Sequence, residues 1–105
     1  MTMEDRKNAF ENKYAHDAEL RFRAEARRNK LLGHWAAEIL GKTGEDAEAY
    51  VKEVIKADFQ EAGDDDVFRK IRNDFDAAGI DKSDHRIRRT MEDLMIEAVR
   101  QIEGS

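Results

Sequence analysis

Apolar positions recur with helical spacing in four segments of the chain, and no segment alternates apolar and polar residues as a half-buried strand does. Helices are therefore predicted at about residues 18–40, 44–62, 65–78 and 84–103. The apolar stripes of the first two are Leu31, Leu32, Trp35, Ala36, Ile39 and Leu40, then Ala47, Tyr50, Val51, Val54, Ile55, Phe59 and Ala62. Those of the last two are Val67, Phe68, Ile71, Phe75 and Ala78, then Ile87, Met91, Leu94, Met95, Ala98, Val99 and Ile102.

Glycines and small hydroxyl residues mark the predicted helix ends. Gly41, Gly63 and Gly79 each follow the last apolar position of a stripe, where a left-handed residue commonly ends a helix. Thr43 and Ser83 precede the second and fourth helices, and their hydroxyl groups are predicted to cap them. The connections are then only a few residues long, which places consecutive helices antiparallel and side by side.

These features predict an all-α fold, namely a small antiparallel four-helix bundle over residues 18–105 that follows a flexible segment, residues 1–17. In that segment Phe10 and Tyr14 supply almost all of the apolar surface. Such a pair stabilises an isolated helix by only about 0.2–0.5 kcal/mol, which is too little to order a dozen residues. We therefore expect the segment to become helical in a groove of another protein. A solvated tail without a function is the open alternative.

Composition excludes several functional classes. The chain has 105 residues, 41% of them charged, with no cysteine and a net charge of -5. Nucleic acid is not an expected partner because phosphate binding requires a basic surface. No apolar run is long enough for direct membrane insertion. The charge is uneven, at +2 over residues 1–32, -7 over 33–66 and zero over 67–105.

No metal site or catalytic site is predicted. His16, His34 and His85 lie in different elements without metal-ligand spacing. The stretch DFDAAGIDKSDH resembles a calcium loop, but Ala78 and His85 stand at its fifth and twelfth positions, where oxygen ligands belong. No Ser–His–Asp arrangement can be read from the spacing. We therefore expect neither a metal nor an enzymatic activity.

One candidate anion site lies at the start of the fourth helix. It consists of Ser83, Arg86, Arg88 and Arg89. Free N–H groups and arginines at a helix N-terminus favour phosphate, so ADP or ATP is a conceivable regulatory ligand. The alternative, which we favour, is that Asp81, Asp84 and neighbouring carboxylates neutralise these arginines on the surface. No other cofactor is expected.

Three stretches resemble the zeta subunit of alphaproteobacterial F-type ATP synthases, and together they cover essentially the whole chain. They are DRKNAFENKYAHDAELRFRAEARRNKLLGHWAAEILG at residues 5–41, KADFQEAGDDDVFRKI at 56–71 and IRRTMEDLM at 87–95. The resemblance implies a four-helix bundle with a mobile N-terminal segment. In that family the segment enters a catalytic alpha/beta interface of the ATPase head, folds there and stops rotation in the hydrolytic direction.

The residues that match the family's inhibitory segment are Arg6, Phe10, Asn12, Lys13, Tyr14, His16 and Asp17. The resemblance therefore implies a non-catalytic regulatory subunit that binds the alpha, beta and gamma subunits of an F-type ATP synthase. It is expected to be a monomer in isolation, cytoplasmic and peripheral to the membrane-bound enzyme. Two alternatives stay open: a helical sensor of adenine nucleotides, and an assembly or scaffold factor of the same complex that does not inhibit it.

Overall fold

The structure is a computed structural model that describes residues 18–58 and 63–104. The predicted flexible segment, residues 1–17, lies outside the described residues. The same holds for Phe59 and Ala62, two positions of the predicted core, and for the last residue of the chain.

Four helices make up the described part of the chain, and it contains no strand. They are α1 Ala18–Ile39, α2 Gly44–Ala57, α3 Asp65–Ala77 and α4 Asp84–Glu103. Helix α1 packs against α2 and α4, and α3 packs against the same two helices, so the four close a ring of contacts. The predicted all-α antiparallel four-helix bundle is confirmed. Helix α2 ends at Ala57, before the predicted limit at residue 62.

All four helices contribute to one hydrophobic core. Its buried members are Leu32, Ala36, Ala37, Tyr50, Val54, Val67, Ile71, Phe75, Ile87 and Met91. The rings of Trp35 and Phe75 lie 5.7 Å apart between their centroids and join α1 to α3. Nearly all of these residues belong to the predicted stripes. Ala78 does not follow the prediction, because α3 ends one residue before it and leaves it exposed in the turn.

The structure tests the residues that were predicted to end or cap the helices. Gly41 has a φ of 77°, and its N–H donates to the carbonyl of Glu38 while the N–H of Lys42 donates to that of Ala37, a Schellman end. The Ser83 hydroxyl accepts a hydrogen bond from the Arg86 N–H at 3.1 Å, so the predicted cap of α4 is confirmed. The predicted hydroxyl cap at Thr43 is wrong. Thr43 lies at the N-cap of α2, but only its backbone carbonyl accepts hydrogen bonds from the first turn.

Gly33 sets the closest approach between α1 and α2. A methyl group in place of its hydrogen would lie 2.9 Å from the backbone Cα of Val51 and 3.2 Å from a methyl carbon of the same residue. A backbone atom in the middle of a helix cannot move aside as the end of a flexible side chain can. The two helices therefore pack this tightly only because residue 33 has no side chain.

Gly33→Ala is expected to lower the free energy of unfolding by about 1–2 kcal/mol. Overpacking costs about 1–3 kcal/mol, and the better helix propensity of alanine returns up to about 1 kcal/mol. Urea denaturation measures the difference. The exposed substitution Ala49→Gly in α2 calibrates the propensity effect by itself. A Gly33→Ala variant as stable as the parent would show that the helix contact is not tight.

Candidate partner-binding and ligand sites

The sequence-predicted partner-binding residues all precede α1. They are Arg6, Phe10, Asn12, Lys13, Tyr14, His16 and Asp17, and every one lies outside the described residues. Helix α1 begins at Ala18, the next residue in the chain. Whatever position the segment takes on a partner, its C-terminal end is therefore joined directly to the longest helix of the bundle.

The four residues of the candidate anion site do lie together at the start of α4, but most of their polar groups already have partners. The Ser83 hydroxyl caps the helix, as described above. The guanidinium group of Arg88 bonds Asp65 of α3 at 3.1 Å and lies 4.1 Å from the centroid of the Phe68 ring. Both contacts of Arg88 tie the start of α4 to α3.

The remaining arginines of this site differ from each other. Arg89 bonds Asp93 one turn further along α4 at 3.3 Å, whereas Arg86 forms no ion pair with any part of the chain that the structure describes. Asp84, one of the expected neutralising carboxylates, instead bonds Arg72 of α3 at 3.0 Å. The site is thus a network of exposed charge pairs, and such pairs typically contribute only about 0–1 kcal/mol each.

A buried polar cluster, which the sequence reasoning missed, lies where α1 meets the connection between α2 and α3. Arg28 is 1% exposed, and its Nε donates to the Asn29 side-chain oxygen at 2.7 Å. Its Nη2 donates to Asp64 at 2.8 Å and lies 3.9 Å from a carboxylate oxygen of Asp58. Asp58 follows α2 and Asp64 precedes α3, so a single guanidinium group of α1 holds both ends of the connection.

The two carboxylates of this cluster have opposite electrostatic environments. The hydrogen bond from Arg28 holds the pKa of Asp64 below its usual value, against a smaller effect of burial. Burial is the largest cause of the raised pKa of Asp58. Together with the negative charges of Glu25 and Asp66, it outweighs the hydrogen bond with Asn29 and the attraction of Arg28. Since Arg28 lies close to Asp64 and further from Asp58, the charge of Asp64 is the better compensated of the two.

Asp64→Asn and Asp58→Asn are expected to change stability differently at pH 7. Asp64→Asn should lower the free energy of unfolding by about 1 kcal/mol. This is less than for a fully buried charged hydrogen bond, because the Asp64 side chain is 47% exposed. Asp58→Asn should leave the free energy of unfolding unchanged or raise it, because it removes a poorly compensated buried charge.

The pH dependence follows from the directions of the shifts. Stability from a lowered pKa is present above the ordinary value of 3.8 and is lost as the pH falls through the folded-state pKa. The penalty from the raised pKa of Asp58 is instead relieved as the pH falls. Denaturation at several pH values between 7 and 2 should therefore show a constant deficit of Asp64→Asn above about pH 5, which shrinks as the pH falls below the ordinary value of 3.8. A larger deficit for Asp58→Asn at pH 7 would contradict this assignment.

Chemistry elsewhere in the described ranges is limited. No group of three or more histidine, aspartate or glutamate side chains there is arranged to hold a metal ion. None of the helices in those ranges is long and apolar enough to cross a bilayer. The features that distinguish this bundle are therefore its charged surface, its Arg28 cluster and the segment that precedes α1.

Comparison with known proteins decides the family. A family model described as ATPase inhibitor subunit zeta matches residues 1–101. The chain belongs to this family. The chain is also similar to a protein whose structure was solved in solution by NMR. The two share 48% sequence identity and superpose with a TM-score of 0.72, over 81% of this chain and 96% of that chain. No protein with a curated functional description matches the chain.

The family match includes the predicted partner-binding residues. It begins at residue 1 and so includes the whole N-terminal segment together with the four helices. As the family is one of ATPase inhibitors, the resemblance noted from the sequence is confirmed at the level of the family. The roles of individual residues stay predictions.

Proposed function

We propose that this chain is a non-catalytic regulatory subunit that binds the catalytic head of an F-type ATP synthase and inhibits ATP hydrolysis. Its N-terminal segment inserts at an alpha/beta interface and folds there, and the bundle stays outside with access to the gamma subunit. Phe10 and Tyr14 are the anchors of the inserted helix, because buried aromatic residues dominate the energetics of such interfaces. Arg6 and Lys13 meet acidic groups around them.

One observation carries the proposal: the zeta-family match includes residues 1–17, the segment whose sequence has almost no apolar surface besides Phe10 and Tyr14. Among the described residues, the buried apolar side chains run from Ala24 to Ile102 and come from all four helices. Two aromatic rings close together in an otherwise polar segment need an apolar partner surface to become ordered. A crevice between two subunits supplies such a surface.

The bundle provides a handle for this mechanism. Helix α1 has 22 residues and is therefore about 33 Å long, and it packs against both α2 and α4. A helix fixed in this way is a stiff continuation of the inserted segment. The bundle is then too wide to follow the segment into the crevice, and it limits how far the segment can pass.

Removal of residues 1–17 tests the proposal and leaves α1 whole. Circular dichroism and thermal unfolding establish that the truncated bundle is folded. The truncated protein should then no longer inhibit ATP hydrolysis by the isolated ATPase head. Full inhibition by the folded, truncated protein would exclude the insertion mechanism. Binding to the head without inhibition, by the full-length protein, would instead favour the assembly or scaffold role.

The nucleotide-sensor alternative has a separate test at the start of α4. Titration with ADP or ATP, followed by the backbone amide signals from Ser83 to Arg89, reports on the candidate anion site directly. Shifts confined to these amides would support a regulatory nucleotide, and unmoved signals would end that hypothesis. Arg86, which has no ion-pair partner in the described ranges, is the residue to substitute first.

A further inference from the structure

A line of basic side chains runs along one face of α1. Arg23, Arg27 and Lys30 are spaced at i, i+4 and i+7, so they lie above one another on the same side of the helix, and all three are exposed. We call these three residues the basic stripe. His34 continues the line one turn further. From Arg23 to His34 this face extends about 16 Å along the helix axis.

The carboxylates of the described residues do not neutralise the basic stripe. In the described ranges none of its three residues forms an ion pair with a carboxylate, and Arg27 donates only to the neutral side-chain amide of Gln101 at 3.1 Å. Several other arginines in the same ranges are paired, and Arg21 and Arg100 illustrate this with bonds to Glu25 and Glu97. The stripe is therefore a locally positive face on a chain whose net charge is -5.

The position of the stripe relates it to the N-terminal segment. Arg23 is six residues beyond Asp17, the last residue of that segment, on the helix that continues from it. The opposite side of α1 holds Leu32 and Ala36, which are buried, so packing fixes the direction in which the stripe faces. A partner that holds the segment thus has the stripe within about two to four helical turns of the point of entry.

We propose that the basic stripe docks on an acidic protein surface of the ATPase, next to the crevice that receives the N-terminal segment. This inference rests on the proposed function and adds the chemistry of a second contact. An unpaired positive face attracts an acidic partner during approach and raises the association rate. The stripe lies on the helix that continues from the N-terminal segment, and in the proposed function a protein holds that segment. The occupant is therefore an acidic surface of the same protein partner rather than nucleic acid or an anionic membrane.

The test compares two triple substitutions that change the net charge equally. One is Arg23→Gln, Arg27→Gln and Lys30→Gln in the stripe. The control is Lys52→Gln, Lys56→Gln and Lys82→Gln on α2 and the α3–α4 connection. Stopped-flow or surface-based kinetics measure the rate constant for association of each full-length protein with the ATPase head. Thermal unfolding shows that the variants are folded, as expected for substitutions of surface charges.

At low ionic strength the stripe variant should associate about tenfold more slowly than the parent, and the control less than about twofold more slowly. The difference should nearly vanish near 0.5 M salt, where exposed charges are screened over a few ångströms. Equal slowing of both variants, or no slowing of either, would overturn the inference.

Two further outcomes separate the inference from its basis. If the parent protein does not bind the ATPase head at all, the proposed function fails. If it binds and inhibits but the stripe variant associates at the parental rate, only the stripe inference fails.

Co-sedimentation with vesicles of phosphatidylcholine and phosphatidylglycerol tests whether the stripe binds a membrane instead. Binding to these vesicles that depends on the stripe, with an unchanged rate toward the ATPase, would assign the stripe to a membrane and overturn the inference.

Discussion

Replacement of Phe10 or Tyr14 by alanine is expected to raise the concentration needed for half-maximal inhibition of ATP hydrolysis by about 30-fold for each residue. An aromatic anchor in the centre of a protein interface typically contributes about 2 kcal/mol or more, and 1.4 kcal/mol corresponds to a factor of ten in affinity. The double variant should show almost no inhibition at concentrations where the parent protein saturates. Steady-state ATP hydrolysis by the isolated head, titrated with each variant, gives the values.

Matched controls come from the same segment. Lys7→Ala and Glu11→Ala change polar residues next to the aromatics, and rim charges of this kind usually contribute less than about 1 kcal/mol. They should shift half-maximal inhibition less than about fivefold. Unfolding of the bundle should be unaffected in all of these variants, because the segment is predicted to have too little apolar surface to pack on its own bundle. Inhibition that survives in the double alanine variant would show that the aromatics are not the anchors.

Arg28→Ala is expected to lower the free energy of unfolding by about 3 kcal/mol, a loss comparable to the truncation of a large buried apolar side chain. It removes a guanidinium group that is 1% exposed and leaves the carboxylates of Asp58 and Asp64 without their cation. Removal of one partner from a buried ion pair costs about 3–5 kcal/mol, and we take the lower value because Asp64 is half-exposed. A loss of this size lowers the melting temperature by more than about 10 °C.

Two comparisons show what the loss consists of. Arg89→Ala breaks an exposed pair on α4 and should cost less than about 0.5 kcal/mol. Arg28→Met keeps most of the side-chain volume without the charge, and it should lie between the parent and Arg28→Ala. Urea denaturation of the three variants measures the differences. If Arg28→Ala unfolds at the same urea concentration as Arg89→Ala, the buried cluster has no special part in stability.

Apolar periodicity was sufficient to predict the helices and most of the core. In α4, Ile87, Met91, Ala98 and Ile102 are all buried, and their spacing of four, seven and four residues is that of one helix face. This information is local, so it can be read from the sequence. The same reasoning failed at Ala78 because α3 ends at Ala77, so the predicted stripe extends one residue beyond the helix.

Features that depend on distant parts of the chain could not be predicted in the same way. Arg28 lies on the buried line of Ala24, Leu32 and Ala36, at intervals of four residues, and that placement was the available signal. Its main partner, Asp64, is 36 residues away, so the pairing becomes visible only in the folded chain. The close contact of Gly33 with Val51 likewise requires the packing of two helices to be known.

For the candidate sites too, some properties can be read from the sequence alone, and others require the family or the folded chain. The lack of apolar surface before α1 is a property of composition, and it indicated a segment that needs a partner. The partner proposed for it comes from the family, because composition does not distinguish one groove from another. The basic stripe was present in the sequence as a spacing of four and three residues. Its significance depends on the absence of carboxylate partners around it in the described ranges.

The most direct measurement is the rate of ATP hydrolysis by the isolated ATPase head from the same organism, with increasing amounts of the added full-length protein. Inhibition by this chain predicts a rate that falls to a low residual level near one protein per head. An unchanged rate in the presence of demonstrated binding would contradict the account.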